Sequence, residues 1–220
     1  MPKVGVVLSG CGVYDGAEIH ESVITLLALD RAGAEVVCMA PDVDQLHVVD
    51  HRTGDVVEGE TRNVLTESAR IARGDIKDVK EVAVGDIDAL IIPGGFGAAK
   101  NLCTFATEGT ACSIQEDVGR LVREVVAAGK PLGAVCIAPA LVAKILEGEE
   151  FAPKLTIGTD AGTASALESM RSEHVDCPVE EFVVDTERKI VTSPAYMLAG
   201  SISEAATGIE GTVKAVLDLI

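Results

Sequence analysis

The sequence has neither a long apolar run nor an excess of positive charge. Hydrophobic residues make up 48% of the 220 positions, yet no stretch of about 18 consecutive apolar residues occurs, as a membrane-spanning helix would require. Lys and Arg number 18 against 35 Asp and Glu, so the formal net charge is −17. Such a surface repels phosphate groups at long range. The composition therefore predicts no membrane segment, and a protein that binds neither nucleic acid nor an anionic membrane.

Paired cysteines are also missing. The six cysteines stand at positions 11, 38, 103, 112, 136 and 177, without CxxC spacing and at too low a density for a disulfide scaffold. No zinc signature is present, so we expect no metal. No charged-then-apolar leader precedes the first strand, which begins by Val4, and nothing marks the chain for export. These absences predict a protein of a reducing compartment, and we expect a cytoplasmic location.

Apolar strand-like runs alternate with helical patterns along the whole chain, with no internal repeat. The strand-like runs cover residues 3–9, 35–40, 88–92, 131–136 and 154–158, and the main helical patterns cover 61–73, 115–129, 138–147, the segment before 31–33 and the C-terminus. Residues 42–60 have the turn signals of a hairpin-like excursion, and 182–185 with 189–192 predict an antiparallel pair. The alternation predicts one domain over residues 1–220, a three-layer α/β sandwich with a mostly parallel sheet and helices on both faces.

Cys136 stands where an apolar strand passes directly into a helix. Pro139 suits the first turn of that helix because it has no N–H to leave unpaired. A side chain on such a turn is pushed out of the sheet edge, as in a nucleophile elbow, and the helix start favours the thiolate. The alternative is a cysteine that only fills space at a strand end. The pattern makes Cys136 a candidate nucleophile.

Three loops are expected to converge at one edge of the sheet, because ligands of such sheets bind at the carboxyl ends of the strands. They are residues 10–16, residues 93–97 and the elbow itself. The backbone N–H groups of Gly94, Gly95 and Ile137 could hold the oxyanion that forms when a thiolate attacks a carbonyl. Glycines in this position can also serve only to turn the chain. The GxGxxxG spacing of the first loop is one residue too long for a dinucleotide fingerprint, which argues against a nucleotide.

Three carboxylates lie at the start of the first helix. Asp15 and Glu18 fit a D-x-x-E capping box, with Glu18 at the third helical position. Glu21 has no such role, and it precedes the apolar run 23–29, where an acid must reach solvent or meet a partner. Beside Cys136 in a water-poor cleft its pKa would rise, so that it could exchange a proton with the thiol. The alternative is a solvated acid in the first helical turn.

A histidine partner for the cysteine is harder to find. The residue after Cys136 is Ile137, whereas a cysteine hydrolase needs an imidazole within hydrogen-bond reach of sulfur. His20 is next to Glu21 but points about 100° away around the helix. His174 stands near the predicted fifth strand. Both histidines are candidate catalytic residues, and a structural histidine is the alternative for each.

Five segments of the chain resemble one known family. They are GCGVYDGAEIHE (10–21), IPGGFGAAKNL (92–102), CIAPA (136–140), LTIGTD (155–160) and TSPAYMLA (192–199). With these motifs the chain is similar over its length to the ElbB family, the "enhancing lycopene biosynthesis" or isoprenoid-biosynthesis group. That group belongs to the PfpI branch of the class I glutamine amidotransferase-like superfamily.

The resemblance implies a flavodoxin-like fold, a homodimer and a glyoxalase activity that converts glyoxal to glycolate without glutathione or any other cofactor. It also implies a carboxylic acid against the elbow cysteine, and the matching position is Glu21. Relatives carry a histidine directly after the cysteine or in the next strand, where this chain has Ile137 and Gly158. This departure favours chemistry by Cys136 and Glu21 over the triad of an amidotransferase or peptidase.

The sequence therefore predicts that Cys136 adds to one aldehyde of a small dicarbonyl while Glu21 relays a proton between carbons. Three alternatives stay open. The first is a cysteine hydrolase or amidotransferase, which needs a histidine near sulfur. The second is a redox-sensing or regulatory protein whose cysteine oxidises without turnover. The third is a non-catalytic partner in isoprenoid metabolism.

Overall fold

The computed structural model describes all 220 residues, as eleven strands and eight α-helices. The strands are β1 (Lys3–Val7), β2 (Glu35–Ala40), β3 (Val49–Asp50), β4 (Asp55–Val56), β5 (Lys77–Asp78), β6 (Ala89–Ile92), β7 (Leu132–Val135), β8 (Lys154–Leu155), β9 (Glu173–His174), β10 (Val183–Asp185) and β11 (Ile190–Ser193). The helices are α1 (Ile19–Arg31), α2 (Val64–Ile71), α3 (Phe96–Lys100), α4 (Phe105–Glu108), α5 (Glu116–Ala127), α6 (Ala138–Leu146), α7 (Ala161–Ser169) and α8 (Ile202–Asp218). None of the helices has the length and apolar composition to cross a membrane.

A seven-stranded sheet forms the centre of the molecule. Its strand order is β10-β11-β7-β6-β1-β2-β5, and every neighbouring pair is parallel except β10 and β11. Strands β6 and β7, in the middle, are buried at every residue, as expected of parallel strands that are covered on both faces. The predicted α/β architecture and its antiparallel edge pair are confirmed.

Helices cover both faces of this sheet, which gives three layers. Leu90 and Ile91 are consecutive in β6, so their side chains point to opposite faces, and they belong to two different apolar cores. The core around Leu90 includes Leu121 of α5 and Leu141 of α6. The core around Ile91 includes Leu29 of α1 and apolar side chains of α8. Full burial of each such side chain stabilises the fold by about 1.5–3 kcal/mol.

The strand predicted over residues 154–158 is shorter than expected and lies outside the main sheet. Only β8 is extended, and it pairs with β9 in a separate two-stranded sheet. The backbone N–H of Thr156 donates to the Thr192 hydroxyl oxygen at 2.9 Å, not to a strand carbonyl. Because β11 already occupies the place beside β7, this segment contacts the sheet through side chains instead of extending its ladder.

Four strand ends meet at one edge of the sheet. Strands β11, β7, β6 and β1 are neighbours in the sheet, and their carboxyl ends lead into residues 194–201, 136–137, 93–95 and 8–18. Ligands of parallel sheets bind at this edge. The predicted excursion over 42–60 contains the hairpin of β3 and β4. It contacts the loop of residues 8–18 through Asp15, whose carboxylate accepts from the Val49 N–H at 2.8 Å.

Candidate active site

Cys136 occupies the tip of the predicted elbow in a strained backbone conformation. It follows β7 directly, and α6 begins two residues later at Ala138. Its φ is +61°, in the left-handed region that residues with a Cβ rarely adopt. Its backbone N–H donates to the Ser193 carbonyl at 3.0 Å, which ties the elbow to the end of β11. The chain therefore has the elbow geometry that the sequence predicts.

The thiol of Cys136 faces the carboxyl group of Glu21. Glu21 comes from the first turn of α1 and is fully buried, at 0% exposure. The carboxyl and the thiol lie next to each other, and each raises or lowers the pKa of the other. Two backbone amides hold the carboxyl in place. Gly94 N–H donates to Oε2 at 2.9 Å, and Tyr196 N–H donates to Oε1 at 3.2 Å. The loop after β6 and the turn after β11 thus fix one acid against the cysteine.

Gly94 makes this contact possible because it has no side chain. A Cβ on Gly94 would lie 2.5 Å from the Cβ of Cys136 and 2.8 Å from Oε2 of Glu21, and both distances are too short for atoms that are not bonded. With glycine at this position, the backbone approaches closely enough for its N–H to bind the carboxyl. The carboxyl of Glu21 and the thiol of Cys136 can come this close only because position 94 is a glycine.

Burial sets the protonation of this pair. It raises the pKa of Glu21 to about 7, because a buried charge is poorly solvated, and the nearby Glu18 carboxylate adds to the rise. Burial, together with the charge of Glu21, raises the pKa of the Cys136 thiol well above its usual range. At neutral pH the cysteine is therefore a protonated thiol, and Glu21 is the group able to take its proton.

The prediction that the helix start favours the thiolate is wrong for this resting state. The backbone N–H groups of Gly95 and Ile137 do face the sulfur and lower its pKa, but burial outweighs them. A helix terminus contributes about 0.3–1 kcal/mol, whereas taking an ion out of water costs several kcal/mol. The amides can therefore stabilise charge that develops during a reaction, but they do not ionise the thiol beforehand.

The three predicted oxyanion donors have different partners in the structure. The N–H of Gly94 is bound to Glu21, which contradicts its predicted role as an oxyanion donor. Gly95 and Ile137 direct their N–H groups at the sulfur, and their role toward an oxyanion stays a prediction. Gly95 has a φ of +93°, and a Cβ there would lie 2.4 Å from the backbone nitrogen of Glu18. Only glycine can bring this amide so close to the helix start.

Glu18 caps α1, in place of the predicted capping box. The helix begins at Ile19, and Oε2 of Glu18 accepts from the Glu21 N–H at 2.7 Å. Asp15, the predicted cap, instead accepts from the N–H of Val49. The prediction that Glu18 lies at the third helical position is therefore wrong, because the Asp15 carboxylate anchors the hairpin excursion and the helix starts three residues later.

Neither candidate histidine contacts the cysteine. His20 lies at the surface, with Nδ1 2.8 Å from the hydroxyl of Tyr196. The side chain of His174 is buried, at 4% exposure, with Nδ1 3.8 Å from Asp176 and Nε2 3.4 Å from the Ile157 backbone nitrogen. These contacts favour a structural role for His174, and a catalytic role for it stays a prediction. His20 contacts two cleft residues, the hydroxyl of Tyr196 and the carboxylate of Glu18, which lies 4.0 Å from its Nδ1.

Cys136 opens into a mainly apolar cleft of about 380 Å³. Its polar side chains are Glu18 and Tyr196, and its apolar wall consists of Val13, Phe96, Ala99, Phe105, Ala106, Ile137 and Met197. No lysine, arginine or histidine lines it. An anion would meet the carboxylate of Glu18 with no cation to offset it, so the cleft suits an uncharged molecule. No group of three His, Cys, Asp or Glu side chains in the chain could hold a metal ion.

Sequence reasoning missed two residues of this site. Tyr196 lies in one of the five segments that carry the family resemblance, after a turn in which Ala195 has a φ of +43°. Burial, with the charges of Glu18 and Glu21, raises the pKa of the Tyr196 hydroxyl. Glu18 was expected only to cap the helix. The available signal was position: Tyr196 follows β11, which pairs with the elbow strand, and Glu18 follows β1, whose carboxyl end lies at the same edge of the sheet.

Comparisons with known proteins agree with this architecture. The DJ-1/PfpI family model matches residues 11–199. The human glutamine amidotransferase-like class 1 domain-containing protein 3, mitochondrial, is 49% identical over 226 residues, which cover 99% of this chain and 83% of the relative. The ES1 protein, mitochondrial, of Danio rerio is 33% identical over 211 residues, which cover 89% of this chain and 77% of the relative.

Solved structures share the fold. An isoprenoid biosynthesis protein with amidotransferase-like domain from Ehrlichia chaffeensis superposes with a TM-score of 0.93 at 39% identity, covering 100% of this chain and 99% of that one. Drosophila melanogaster DJ-1beta superposes with a TM-score of 0.56 at 21% identity, covering 100% of this chain and 96% of that one. The second likeness shows the fold alone.

The curated relatives correct one prediction and support a broader one. The human, rat and zebrafish proteins are all named mitochondrial, which contradicts the predicted cytoplasmic location. Composition and cysteine spacing describe the folded domain, and they contain no signal for its location in the cell. The elbow, the parallel sheet and these matches agree on a group wider than the ElbB family. The chain belongs to the DJ-1/PfpI family and has a class I glutamine amidotransferase-like fold.

Proposed function

We propose that the protein is a cofactor-independent glyoxalase that converts glyoxal, or a similar small 2-oxoaldehyde, to a 2-hydroxy acid such as glycolate. The observation that carries this proposal is the buried pair of Cys136 and Glu21 beside an apolar cleft. A thiol supplies a nucleophile for an aldehyde carbon. A carboxyl with a pKa of about 7 can accept and return protons at neutral pH.

The first step joins the sulfur to the substrate. Ionised Glu21 takes the proton of the Cys136 thiol as sulfur attacks one aldehyde carbon, the C–S bond forms, and the carbonyl electron pair moves to oxygen. The N–H groups of Gly95 and Ile137 face the sulfur and are placed to donate to that oxygen. Glu21 then returns the proton to the oxygen, which gives a hemithioacetal.

The second step moves a proton between the two carbons. Glu21 removes the hydrogen from the carbon bonded to sulfur, the electrons move to the second carbonyl oxygen, and that oxygen takes up the proton from Glu21 to give an enediol. Glu21 then takes the proton of the hydroxyl on the carbon bonded to sulfur and delivers a proton to the second carbon, so the carbonyl forms beside sulfur and a 2-hydroxy thioester is left on Cys136. Water then hydrolyses the thioester, releases the 2-hydroxy acid and restores the thiol. The net change is the addition of one water molecule, so the reaction needs no oxidant or reductant.

The volume and the apolar wall of the cleft influence which substrates can bind. Its volume of about 380 Å³ is larger than a two-carbon dialdehyde fills, and Phe96 and Phe105 form part of its wall. Burial of apolar groups against this wall is favourable by about 25 cal/mol per Å². We therefore expect 2-oxoaldehydes with an apolar substituent to be accepted together with glyoxal. Those that carry a carboxylate or phosphate should be poor substrates.

Two of the alternatives receive little support. A cysteine hydrolase or amidotransferase needs an imidazole at the sulfur, and no histidine lines the cleft. A redox sensor based on Cys136 needs a ready thiolate, and burial raises the pKa of this thiol. An accessory role in isoprenoid metabolism is the second candidate function. It is favoured by the description of the Ehrlichia chaffeensis relative as an isoprenoid biosynthesis protein.

We also propose that the chain forms a homodimer, as the family resemblance implies. Ile19, Val23 and Leu27 form an apolar stripe on the outer face of α1, with exposures of 43%, 48% and 40%. They follow one another at intervals of four residues, which aligns them on one helix face. A Val23→Glu substitution should convert the dimer to a monomer in light scattering. An unchanged mass for this variant, or a monomeric wild type, would contradict the proposal.

A panel of aldehydes tests the proposed function. Glyoxal, methylglyoxal and phenylglyoxal are each incubated with wild type, Cys136→Ser and Cys177→Ser, and the 2-hydroxy acid formed is measured. Cys177 is a buried cysteine outside the cleft, so its variant is the matched control. We expect the acid from wild type and Cys177→Ser but not from Cys136→Ser. Equal product from Cys136→Ser would contradict the mechanism, and no product from wild type would favour the accessory role.

A further inference from the structure

Cys103 and Cys112 lie side by side across a short antiparallel ladder. Cys103 is bridged to Ile114, and the N–H of Thr104 donates to the Ser113 carbonyl at 3.0 Å. In this register Cys112 stands diagonally across from Cys103 on the same face of the ladder, where side chains are neighbours. Each thiol accordingly influences the pKa of the other.

These two thiols have no part in the proposed reaction. They are buried, at 3% and 4% exposure, and neither lines the cleft. The sulfur of Cys103 also donates to the Ala98 carbonyl at 3.3 Å. Among the six cysteines, only Cys103 and Cys112 have another thiol as an interaction partner.

The chain between the two cysteines forms part of the cleft wall. Phe105 and Ala106 line the cleft, and both lie in α4, which begins two residues after Cys103. Residues 106–111 are exposed, so solvent reaches the chain directly before Cys112. A cross-link between the two cysteines would therefore close a ring that includes one side of the cleft. A small oxidant could approach Cys112 through the exposed segment of that ring.

We propose that Cys103 and Cys112 form a redox-active dithiol, which a peroxide converts to an intramolecular disulfide. The proposal rests on the register of the ladder, on the contact of the two thiols and on the exposure of the segment before Cys112. It is independent of the proposed glyoxalase reaction.

The oxidation takes place in two balanced steps. The Cys112 thiolate attacks one oxygen of the peroxide, the O–O bond breaks, and the leaving oxygen takes up the thiol proton, so that Cys112 becomes a sulfenic acid. The sulfur of Cys103 then attacks that of Cys112, the S–S bond forms, the S–O bond breaks, and water leaves with the Cys103 proton. Two electrons pass from the thiols to the peroxide, and a dithiol reductant reverses the change.

Cys112 is the thiol that reacts first. Burial raises the pKa of Cys103 to about 12. Burial also raises the pKa of Cys112, but there the Lys144 ammonium acts in the opposite direction. Lys144 is held close by because its Nζ donates to the Thr110 carbonyl at 2.8 Å. Cys103, which belongs to the main apolar core, is then the resolving thiol.

Peptide mapping tests the proposal directly. Both cysteines fall in one tryptic peptide, residues 101–120, between the cleavage sites Lys100 and Arg120. The folded protein is treated with hydrogen peroxide, alkylated and digested, with and without later reduction by dithiothreitol. We expect this peptide to become lighter by two hydrogen atoms, to resist alkylation, and to take two alkyl groups after reduction. A peptide that stays fully alkylated after saturating peroxide, or gains sulfinic acid without a disulfide, would overturn the proposal.

Two variants and one dynamic readout complete the experiment. In Cys103→Ser the resolving thiol is absent, so Cys112 should be trapped as a sulfenic acid by dimedone. Cys177→Ser should form the disulfide as wild type does. In oxidised wild type, amide hydrogen exchange over residues 104–111 should slow, because the ring restricts this segment. Unchanged exchange with the disulfide present would overturn its effect on the cleft wall, and disulfide formation in Cys103→Ser would overturn the pairing.

Discussion

The carboxyl group of Glu21 and the thiol of Cys136 form an interacting buried pair beside the cleft. Glu21 reaches this position because the amides of Gly94 and Tyr196 bind its two oxygens. Since burial disfavours both ions, the proton stays on sulfur until a substrate arrives. The pair therefore combines a protected nucleophile with a base that titrates near neutral pH.

Turnover of glyoxal is expected to rise with pH through about 7. Burial raises the pKa of Glu21 to about 7, and below that pH the protonated acid cannot accept the proton of Cys136. We expect kcat/KM to fall about tenfold for each pH unit below this value. The check is the pH profile of kcat/KM with glyoxal. A flat profile through pH 7 would remove Glu21 from the reaction.

Glu18→Ala should change both the stability and the pH profile. Loss of the N-cap should cost about 0.5–2 kcal/mol. The Glu18 charge also raises the pKa of Glu21, so its removal should shift the acid limb of the profile to lower pH. Ser201→Ala is the matched control, because Ser201 caps α8 by accepting from the Glu204 N–H at 3.2 Å. If both variants lose stability and neither profile moves, Glu18 has only a capping role.

Gly94→Ala should destabilise the protein and abolish most turnover. The added Cβ would lie 2.5 Å from the Cβ of Cys136, and overpacking of this kind costs about 1–3 kcal/mol. Gly148→Ala is the control, because a Cβ at Gly148 would meet nothing within 4 Å. Thermal unfolding and glyoxal turnover are measured for both. Equal melting temperatures and equal turnover would show that Gly94 does not separate the acid from the thiol.

His20→Asn and His174→Asn should each keep glyoxal turnover within about tenfold of wild type, a change of roughly 1.4 kcal/mol in the barrier. His20 contacts Tyr196 and Glu18 but not Cys136. His174 contacts Asp176 and the backbone of Ile157. Circular dichroism confirms that each variant is folded. A much larger loss in a folded variant would favour a hydrolase with a cysteine–histidine pair.

The fold could be predicted well because it depends on patterns within short segments. Apolar strands such as 88–92 alternate in the sequence with periodic helices, and this alternation predicts an α/β fold. Segment 154–158 has the same local pattern as a central strand. Its exclusion from the main sheet depends on β11, which comes later in the chain and pairs with β7. A contact of this kind is invisible in the segment itself.

The site could be predicted in part. Cys136 and Glu21 stand out because an apolar elbow and an acid without a capping role are local features. The role of Gly94 could not be predicted, since its amide binds an acid that lies 73 positions away in sequence. The protonation of the thiol was also missed, because it depends on burial by several elements. The start of α1 was misplaced because Asp15 binds Val49, a partner far from the helix.

Glu21→Gln tests the pair most directly, because turnover and thiol reactivity should change in opposite directions. Loss of the base should lower kcat/KM for glyoxal by about 10²–10⁴-fold. Loss of its negative charge should lower the pKa of Cys136, so iodoacetamide should alkylate this thiol faster than in wild type. Cys38, in β2, serves as the internal control in the same digest. Lower turnover with faster alkylation of Cys136 and unchanged Cys38 is the predicted result, whereas turnover within tenfold of wild type, or slower alkylation of Cys136, would contradict it.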